Sequence, residues 1–190
     1  MTSDLPPAQF AAALRSLRGV RPPASVGFRE VPAPNHLAPY AAAIAFEIPE
    51  GVDNPSCTAT LVVLYDPDQE ETWGAPFRMV GQARTAVDRD MGADPLLGEV
   101  LWALLDEQLH EYVGQPNLFM GTVTREISET FGGLTLRASA LNAEVRCSWT
   151  PSLSPENPDI SGSFLAWTHF LEKIAAVPEA NEYGLEVHHG

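Results

Sequence analysis

The chain has 190 residues, of which 45% are hydrophobic and 19% are charged, so it is long enough for one domain with a substantial core. Its 25 acidic residues outnumber its 11 basic residues, and the net charge is −14. This charge argues against direct binding to nucleic acid phosphates or to an anionic membrane surface, and it fits either a basic protein partner or an acidic surface that only maintains solubility.

The N-terminal stretch MTSDLPPAQF has neither the basic nor the apolar region of a secretory signal. No apolar run reaches the roughly 20 residues that a membrane span needs. The cysteines, Cys57 and Cys147, are too few for a disulfide framework or a zinc site, and we interpret them as buried free thiols. We therefore expect a cytoplasmic protein that does not interact with membranes.

A helix is predicted from Leu5 to Leu17, because Pro6 and Pro7 suit a helix start and apolar residues recur at helical spacing. A short strand at 26–31 and a longer strand at 40–48 follow. The longer strand alternates with period two, which predicts one buried face. The residues of that face are Tyr40, Ala42, Ile44, Phe46 and Ile48.

The next two predicted strands, at 58–65 and 77–87, flank an acidic turn. The first is apolar on both faces and rich in β-branched residues, so we expect it to lie at the centre of a sheet with both faces covered. In the second, Arg78, Gln82 and Arg84 alternate with apolar residues, which predicts one solvated face.

The longest helix is predicted to begin at Asp94 and Pro95, because Asp is a good N-cap and Pro suits the first helical position. Two strands follow at 119–128 and 142–150, connected through Gly132 and Gly133. Asp159 is predicted to cap a last helix. The apolar positions of the longest helix are Leu97, Val100, Leu101, Leu104, Leu105, Leu109 and Tyr112, and those of the last are Phe164, Trp167, Leu171 and Ile174.

The element order is therefore α-ββββ-α-ββ-α. Consecutive strands without crossover helices favour antiparallel pairing. We predict an α+β fold in which three helices pack against an antiparallel sheet of about six strands. The chain is expected to be a single domain over residues 1–190, with an ordered core at about 5–178 and a loosely held tail at 179–190.

Six segments of the chain, taken in order, resemble the actinobacterial domain-of-unknown-function family numbered three thousand, over about Phe10 to about Gly184. One departure from the family is that Gln82 and Arg84 interrupt a strand that is commonly more apolar. The resemblance carries over no catalytic residue and no cofactor. It implies a gene neighbourhood that often includes a ribonuclease D-type exonuclease. The segments are VPAPNHLAPYAAAI at 31–44, LVVLYDPDQEETWGAPFRMV at 61–80, DPLLGEVLW at 94–102, GTVTREISETFGGL at 121–134, EVRCSWTP at 144–151 and AWTHFL at 166–171.

The densest acidic cluster comprises Asp66, Asp68, Glu70 and Glu71. Its start resembles a calcium-binding loop, but an EF-hand needs Gly where Glu71 stands and Glu where Phe77 stands. Asp-Pro-Asp is a good type I turn sequence, which is our preferred interpretation, with adventitious binding of a divalent cation left open. We predict no metal site and no cofactor.

Trp73 and Arg78 complete the set of candidate interaction or pocket residues with Asp66, Asp68 and Glu70. A tryptophan in a loop is either a lid over the end of the core, which we favour, or an anchor for a partner. A second acidic group, Asp88, Asp90 and Asp94, suits the start of a helix. No histidine has metal-ligand spacing, and no nucleophile or phosphate-loop motif occurs, so we predict no catalytic residue.

Three functional hypotheses remain at this point. The leading one is a non-enzymatic protein-binding or adaptor module, or a chaperone-like homodimer, with the polar face Thr122, Thr124, Glu126 and Ser128 either solvated or presented to a partner strand. The second is a small-molecule-binding domain or an unrecognised enzyme with a site near the 66–78 turn. The third, an accessory factor of an exoribonuclease, rests only on the gene neighbourhood.

Overall fold

The computed structural model describes residues 6–34, 36–49, 55–87, 89–128 and 141–176. These residues form one six-stranded antiparallel sheet and five α-helices, which confirms the predicted α+β class. Two short helices add to the three that were predicted. Among the described helices, none combines the length and the apolar character needed to cross a membrane. The predicted tail, the start of the first helix at Leu5, and Gly132 with Gly133 lie outside the described residues.

The bounds of the elements agree closely with the predicted ones for the strands and less closely for the helix starts. The strands are β1 Gly27–Val31, β2 Tyr40–Pro49, β3 Pro55–Tyr65, β4 Phe77–Val87, β5 Asn117–Ile127 and β6 Leu141–Thr150. The α-helices are α1 Ala8–Ser16, α2 Glu70–Trp73, α3 Arg89–Ala93, α4 Leu97–Tyr112 and α5 Ser161–Ala175, and a 3₁₀ turn spans Pro67–Gln69.

The strand order across the sheet is β1-β2-β3-β4-β6-β5. The first four strands are neighbours in sequence and in space, as hairpin-type connections require. The sheet order then departs from the sequence order, because β6 inserts between β4 and β5. As a result β3 and β4 lie at the centre of the sheet, while β1 and β5 form its two edges.

Four helices lie against one face of this sheet and form the main core with it. Alternate residues of β3, β4 and β6, including Leu61, Met79 and Trp149, are buried there. The α5 helix inserts Trp167 against the sheet, and the ring is accommodated because β4 has Gly81 at that point. A Cβ atom on Gly81 would lie only 2.6 Å from the Trp167 ring.

Both acidic residues that were predicted to start helices accept a backbone hydrogen bond there. Asp94 accepts from the N–H of Leu96 at 2.8 Å, but α4 begins later than predicted, at Leu97. Asp159 accepts from the N–H of Ser161 at 2.8 Å, at the first residue of α5. This hydrogen bonding to Ser161 lowers the pKa of the Asp159 carboxyl.

The predicted apolar face of α4 is too wide. Leu97, Leu101, Leu105 and Leu109 are buried, whereas Val100 keeps 48% of its surface exposed. Val100 has the right sequence spacing, but it lies beyond the arc of the helix that contacts the sheet and α5.

Candidate functional site

In the part of the chain that the structure describes, no long helix lies on the second face of the sheet, which grades from apolar to polar along the strands. At one end Ala43, Val62 and Leu64 form a small second cluster, with Trp73 and Val80 packed against it. Toward the other end the row of paired residues is Glu47, Thr58, Arg84, Glu144 and Thr124. We call this second face the open face.

The apolar end of the open face explains why β3 only partly follows its prediction. Val62 and Leu64 are buried under Trp73 and neighbouring small residues, so this half of the strand is covered on both faces. Thr58 is exposed and Thr60 half-buried on the same face. Double coverage therefore applies from about Leu61 to Tyr65 and not to the whole strand.

The acidic turn between β3 and β4 is longer than a single β-turn. The Asp66 side chain accepts a hydrogen bond from the N–H of Asp68 at 3.0 Å, and the 3₁₀ turn continues directly into α2. Gly74 ends α2 with a φ of 75°, a left-handed conformation that glycine adopts without strain. The described ranges contain no group of three or more His, Cys, Asp or Glu side chains placed to hold a metal ion.

Arg78 lies on the open face of β4 but is buried, with only 7% of its surface exposed. The end of β4 that contains it is therefore dry, contrary to the prediction of a solvated face, whereas Gln82 and Arg84 are exposed as predicted. Side chains of β6 and a carbonyl group of β5 accept hydrogen bonds from the guanidinium, and sequence alternation cannot reveal these contacts.

The hydrogen bonds of Arg78 connect several elements. Its guanidinium donates to Thr150 Oγ1 at 2.9 Å, to Ser148 Oγ at 2.6 Å and to the carbonyl of Leu118 at 2.9 Å. Thr150 in turn donates to the carbonyl of Trp73 at 2.6 Å. No carboxylate of the described residues forms an ion pair with Arg78, and burial lowers its pKa, although a guanidinium stays charged at neutral pH.

These contacts bring together only part of the predicted candidate set. Arg78 and Trp73 are joined through Thr150, which the sequence analysis did not single out. Asp68 and Glu70 are exposed on the turn, and the Asp66 carboxylate serves the turn itself. The geometry gives Arg78 and Asp66 structural contacts, and binding of a ligand by this set stays a prediction.

The β5 edge is the most exposed strand of the sheet. All of its residues are exposed except Phe119 and Val123, which are half-buried. Three of its apolar side chains have large exposed fractions, Leu118 at 46%, Met120 at 53% and Ile127 at 66%. In the part of the chain that the structure describes, no strand pairs with the outer side of β5, so a row of backbone donors and acceptors faces outward.

Contacts on both faces of the sheet hold β5 in place. Phe119 stacks on Trp102 of α4 with ring centroids 4.3 Å apart. Gly121 lets that helix approach, because a Cβ atom there would lie 2.8 Å from the Trp102 ring and would also collide with the Arg146 carbonyl. On the open face, Glu126 forms a 2.6 Å ion pair with Arg84 of β4, across β6. The exposed edge strand is thus held in place by contacts with α4 and with β4.

A groove of about 660 Å³ lies at the polar end of the open face, nearer to β1 than to β5. Side chains of both charge signs line it, including Arg29, Glu47, Arg84 and Glu144. Its polar lining arises from the alternation within β2, β3 and β4. This groove has no local sequence signal, because its lining residues come from five strands whose order in the sheet the sequence does not reveal.

Comparison with known proteins assigns the chain to a family. Residues 6–183 match the family described as Protein of unknown function (DUF3000). The chain belongs to this family. The match covers nearly the same stretch as the resemblance found from the six sequence segments. No curated protein and no solved structure matches the chain.

Proposed function

We propose that this member of the family is a protein-binding module that pairs the outer edge of β5 with an extended strand of its partner. The observation that carries the proposal is the length and exposure of that edge, which pairs regularly with β6 from Met120 to Ile127 after a register shift between Asn117 and Met120. Main-chain hydrogen bonds supply affinity in such strand addition, and side chains on the two faces supply specificity. Since α4 and the ion pair to β4 support the strand, little ordering cost accompanies binding.

The two edges of the sheet differ in a way that favours β5 as the contact. The β1 edge has only five residues, and Pro23 and Pro32 stand close to its two ends. Natural proteins use short strands and prolines in this way to protect an edge from unwanted pairing. The 11 residues of β5 include neither proline nor lysine. The β1 edge is therefore the shorter one and is flanked by prolines, while its residues are as exposed as those of β5.

The proposal places the protein in the cytoplasm. Its support is that Cys57 and Cys147 are both buried free thiols, which is the usual state in a reducing compartment. Burial raises the pKa of each thiol to about 12, so neither is a reactive thiolate at neutral pH.

A proline scan of the edge tests the proposed function. Successive residues of a strand direct their N–H groups to opposite sides. One of the two variants Thr124→Pro and Arg125→Pro therefore removes a hydrogen bond to β6, and the other removes only a donor that faces outward. The outward variant is identified as the one whose thermal midpoint stays close to that of the alanine variant at the same position. That pair of variants forms the matched comparison.

The readout is affinity capture from native lysate with quantitative mass spectrometry, together with hydrogen exchange of the β5 amides. Partners that wild type and the alanine variant recover, and that the outward proline variant loses, support strand addition at β5. The same partners should slow exchange of the outward β5 amides. Equal recovery by all three proteins, or recovery of no partner, with a second copy of this chain counted as a partner, contradicts the proposal.

A further inference from the structure

We propose that the strand that pairs with β5 is β5 of a second copy of this chain, running antiparallel about a two-fold axis at Val123. This inference rests on the proposed function, and it adds the identity of the partner. It would join two six-stranded sheets into one continuous sheet with the helices of both copies on the same side. The strand's own sequence carries the argument, because the second copy must be complementary to the first.

Residues directly opposite each other in an antiparallel pair lie on the same face, so the axis must pass through a residue and not between two. With the axis at Val123, the residues of one copy lie opposite residues of the other copy in five kinds of pair. These pairs are Val123 with Val123, Thr122 with Thr124, Gly121 with Arg125, Met120 with Glu126 and Phe119 with Ile127. No pair opposes like charges.

This register combines the cross-strand pairs that stabilise sheets. An aromatic residue opposite a β-branched one, and threonine opposite threonine, are both stabilising cross-strand pairs. The pairing would cover Ile127, whose side chain is 66% exposed in the single chain, with Phe119 of the second copy. Arg125, whose guanidinium donates to the carbonyl of Asp94 at 2.9 Å, lies opposite Gly121 and adds no charge pair to this register.

Neighbouring registers are less favourable. An axis at Arg125 would place two guanidinium groups opposite each other, which is destabilising. An axis at Thr122 would oppose Phe119 to Arg125, and an axis at Thr124 would oppose Ile127 to Gly121, so both lose the apolar pair. Charge favours self-pairing as well. β5 carries one Arg and one Glu, so it is electrically neutral in a chain of net charge −14.

Symmetry favours β5 with β5 over β5 with β1. Pairing of a strand with its own copy about a two-fold axis closes after two molecules, whereas pairing of the two different edges continues without limit. The shortness of β1 and the prolines beside it fit a closed dimer, because both disfavour the second edge from which a filament would grow.

A charge-exchange experiment tests the second copy. Thr122 and Thr124 are exposed on the open face and oppose each other in the proposed register. A Thr122→Lys/Thr124→Lys variant should raise the dissociation constant of the dimer about tenfold or more, and so should Thr122→Glu/Thr124→Glu, because like charges then oppose at two places. Mixing the two variants should restore the dimer. The control is Thr58→Lys, which adds charge to the same face on β3.

Sedimentation equilibrium from about 1 to 100 μM, concentrations that bracket a micromolar dissociation constant, gives the masses. We expect the wild type and the Thr58→Lys variant to be dimeric. The lysine and glutamate double variants should dissociate at higher concentrations than the wild type, and their mixture should again be dimeric. A wild type that stays monomeric over this range overturns the inference, as do charge variants that remain as dimeric as the wild type.

Disulfide trapping tests the register. Opposite residues lie within the Cα separation of about 4.4–6.8 Å that a disulfide needs. Mild oxidation should therefore join Thr122→Cys to Thr124→Cys when the two variants are mixed, while each alone forms little covalent dimer. The buried native thiols, with pKa values of about 12, do not compete. Efficient dimer formation by one variant alone overturns the Val123 register.

The two proposals fail separately. A monomeric wild type that still captures a partner through the outward edge of β5 would overturn the proposal that the partner is a second copy. The proposal of strand addition at β5 would still hold. A monomeric wild type with no edge-dependent partner would overturn both.

Discussion

Arg78 and Arg84 lie on the same face of β4, yet their surroundings differ because β6 offers them different neighbours. Arg78 meets two hydroxyls and a carbonyl and is 7% exposed. Arg84 pairs with Glu126 in solvent, with 43% of its side chain exposed. The same residue type thus holds several elements together at one position and forms a surface ion pair at the other.

Substitution of these two arginines should therefore have unequal effects. Arg78→Ala removes charge-assisted hydrogen bonds and leaves buried acceptors unpaired, so we expect the free energy of unfolding to fall by about 2–4 kcal/mol. Arg84→Ala removes an exposed ion pair and should cost about 0.5 kcal/mol or less. Urea denaturation of both variants measures the difference. Similar losses for the two would contradict the structural role given to Arg78.

Gly81 and Gly98 make a second matched pair of residues. Gly81→Ala would place a Cβ atom 2.6 Å from the ring of the fully buried Trp167, and we expect a loss of about 1–3 kcal/mol from overpacking. Gly98 is in α4, where the nearest atoms to an added Cβ belong to Val123 at 3.9 Å. Gly98→Ala should stabilise the protein by up to about 1 kcal/mol through helix propensity. Thermal or urea unfolding that finds Gly81→Ala neutral would refute the close contact.

Among the elements, those with strong alternation were predicted best. The two faces of β6 match the structure because period two depends only on local sequence. The predicted face of β2 contacts the main core, but only Phe46 and Ile48 are buried there, and Ala43 of the opposite face is buried too. The cover over Arg78 could not be predicted, since it depends on Ser148, Thr150 and Leu118, which the fold brings from distant parts of the chain. The position of β6 between β4 and β5 has no local signal either, so the exposed edge was visible only as a polar pattern at Thr122 and Thr124.

The start of α5 gives a prediction with a definite pH dependence. The pKa of Asp159 lies below its usual value near 3.8 because the carboxylate accepts from Ser161, so the charged form stabilises the fold. This stabilisation is fully present above the unfolded-state pKa and is lost as the pH falls through the lower folded-state pKa. Asp159→Ala should cost about 1 kcal/mol at pH 7.

The difference in unfolding free energy between wild type and Asp159→Ala should accordingly shrink below about pH 4, where the unfolded-state carboxyl begins to protonate. Denaturant titrations at several pH values provide the measurement. A difference that stays constant down to pH 2.5 would show that the carboxylate charge has no part in it.

For the whole molecule, the net charge of −14 sets how two copies approach. Two acidic molecules repel at low ionic strength, and salt screens this repulsion as the Debye length falls from about 20 Å to about 8 Å between roughly 20 and 150 mM. If β5 pairs with β5, the dissociation constant of the dimer should fall several-fold over this range. Sedimentation at both ionic strengths measures it, and weaker association at the higher salt concentration would indicate a contact made by opposite charges.

The insertion of β6 between β4 and β5 also constrains how the chain folds during synthesis. β5 leaves the ribosome before β6, at a time when the outer side of β4 has no neighbour. Direct pairing of β5 with β4 in that interval would occupy the place that β6 needs, and it would have to dissociate before the native sheet could form. A productive route therefore keeps β5 off β4 until β6 has formed, and docking of a β5–β6 hairpin onto β4 as a unit meets this requirement.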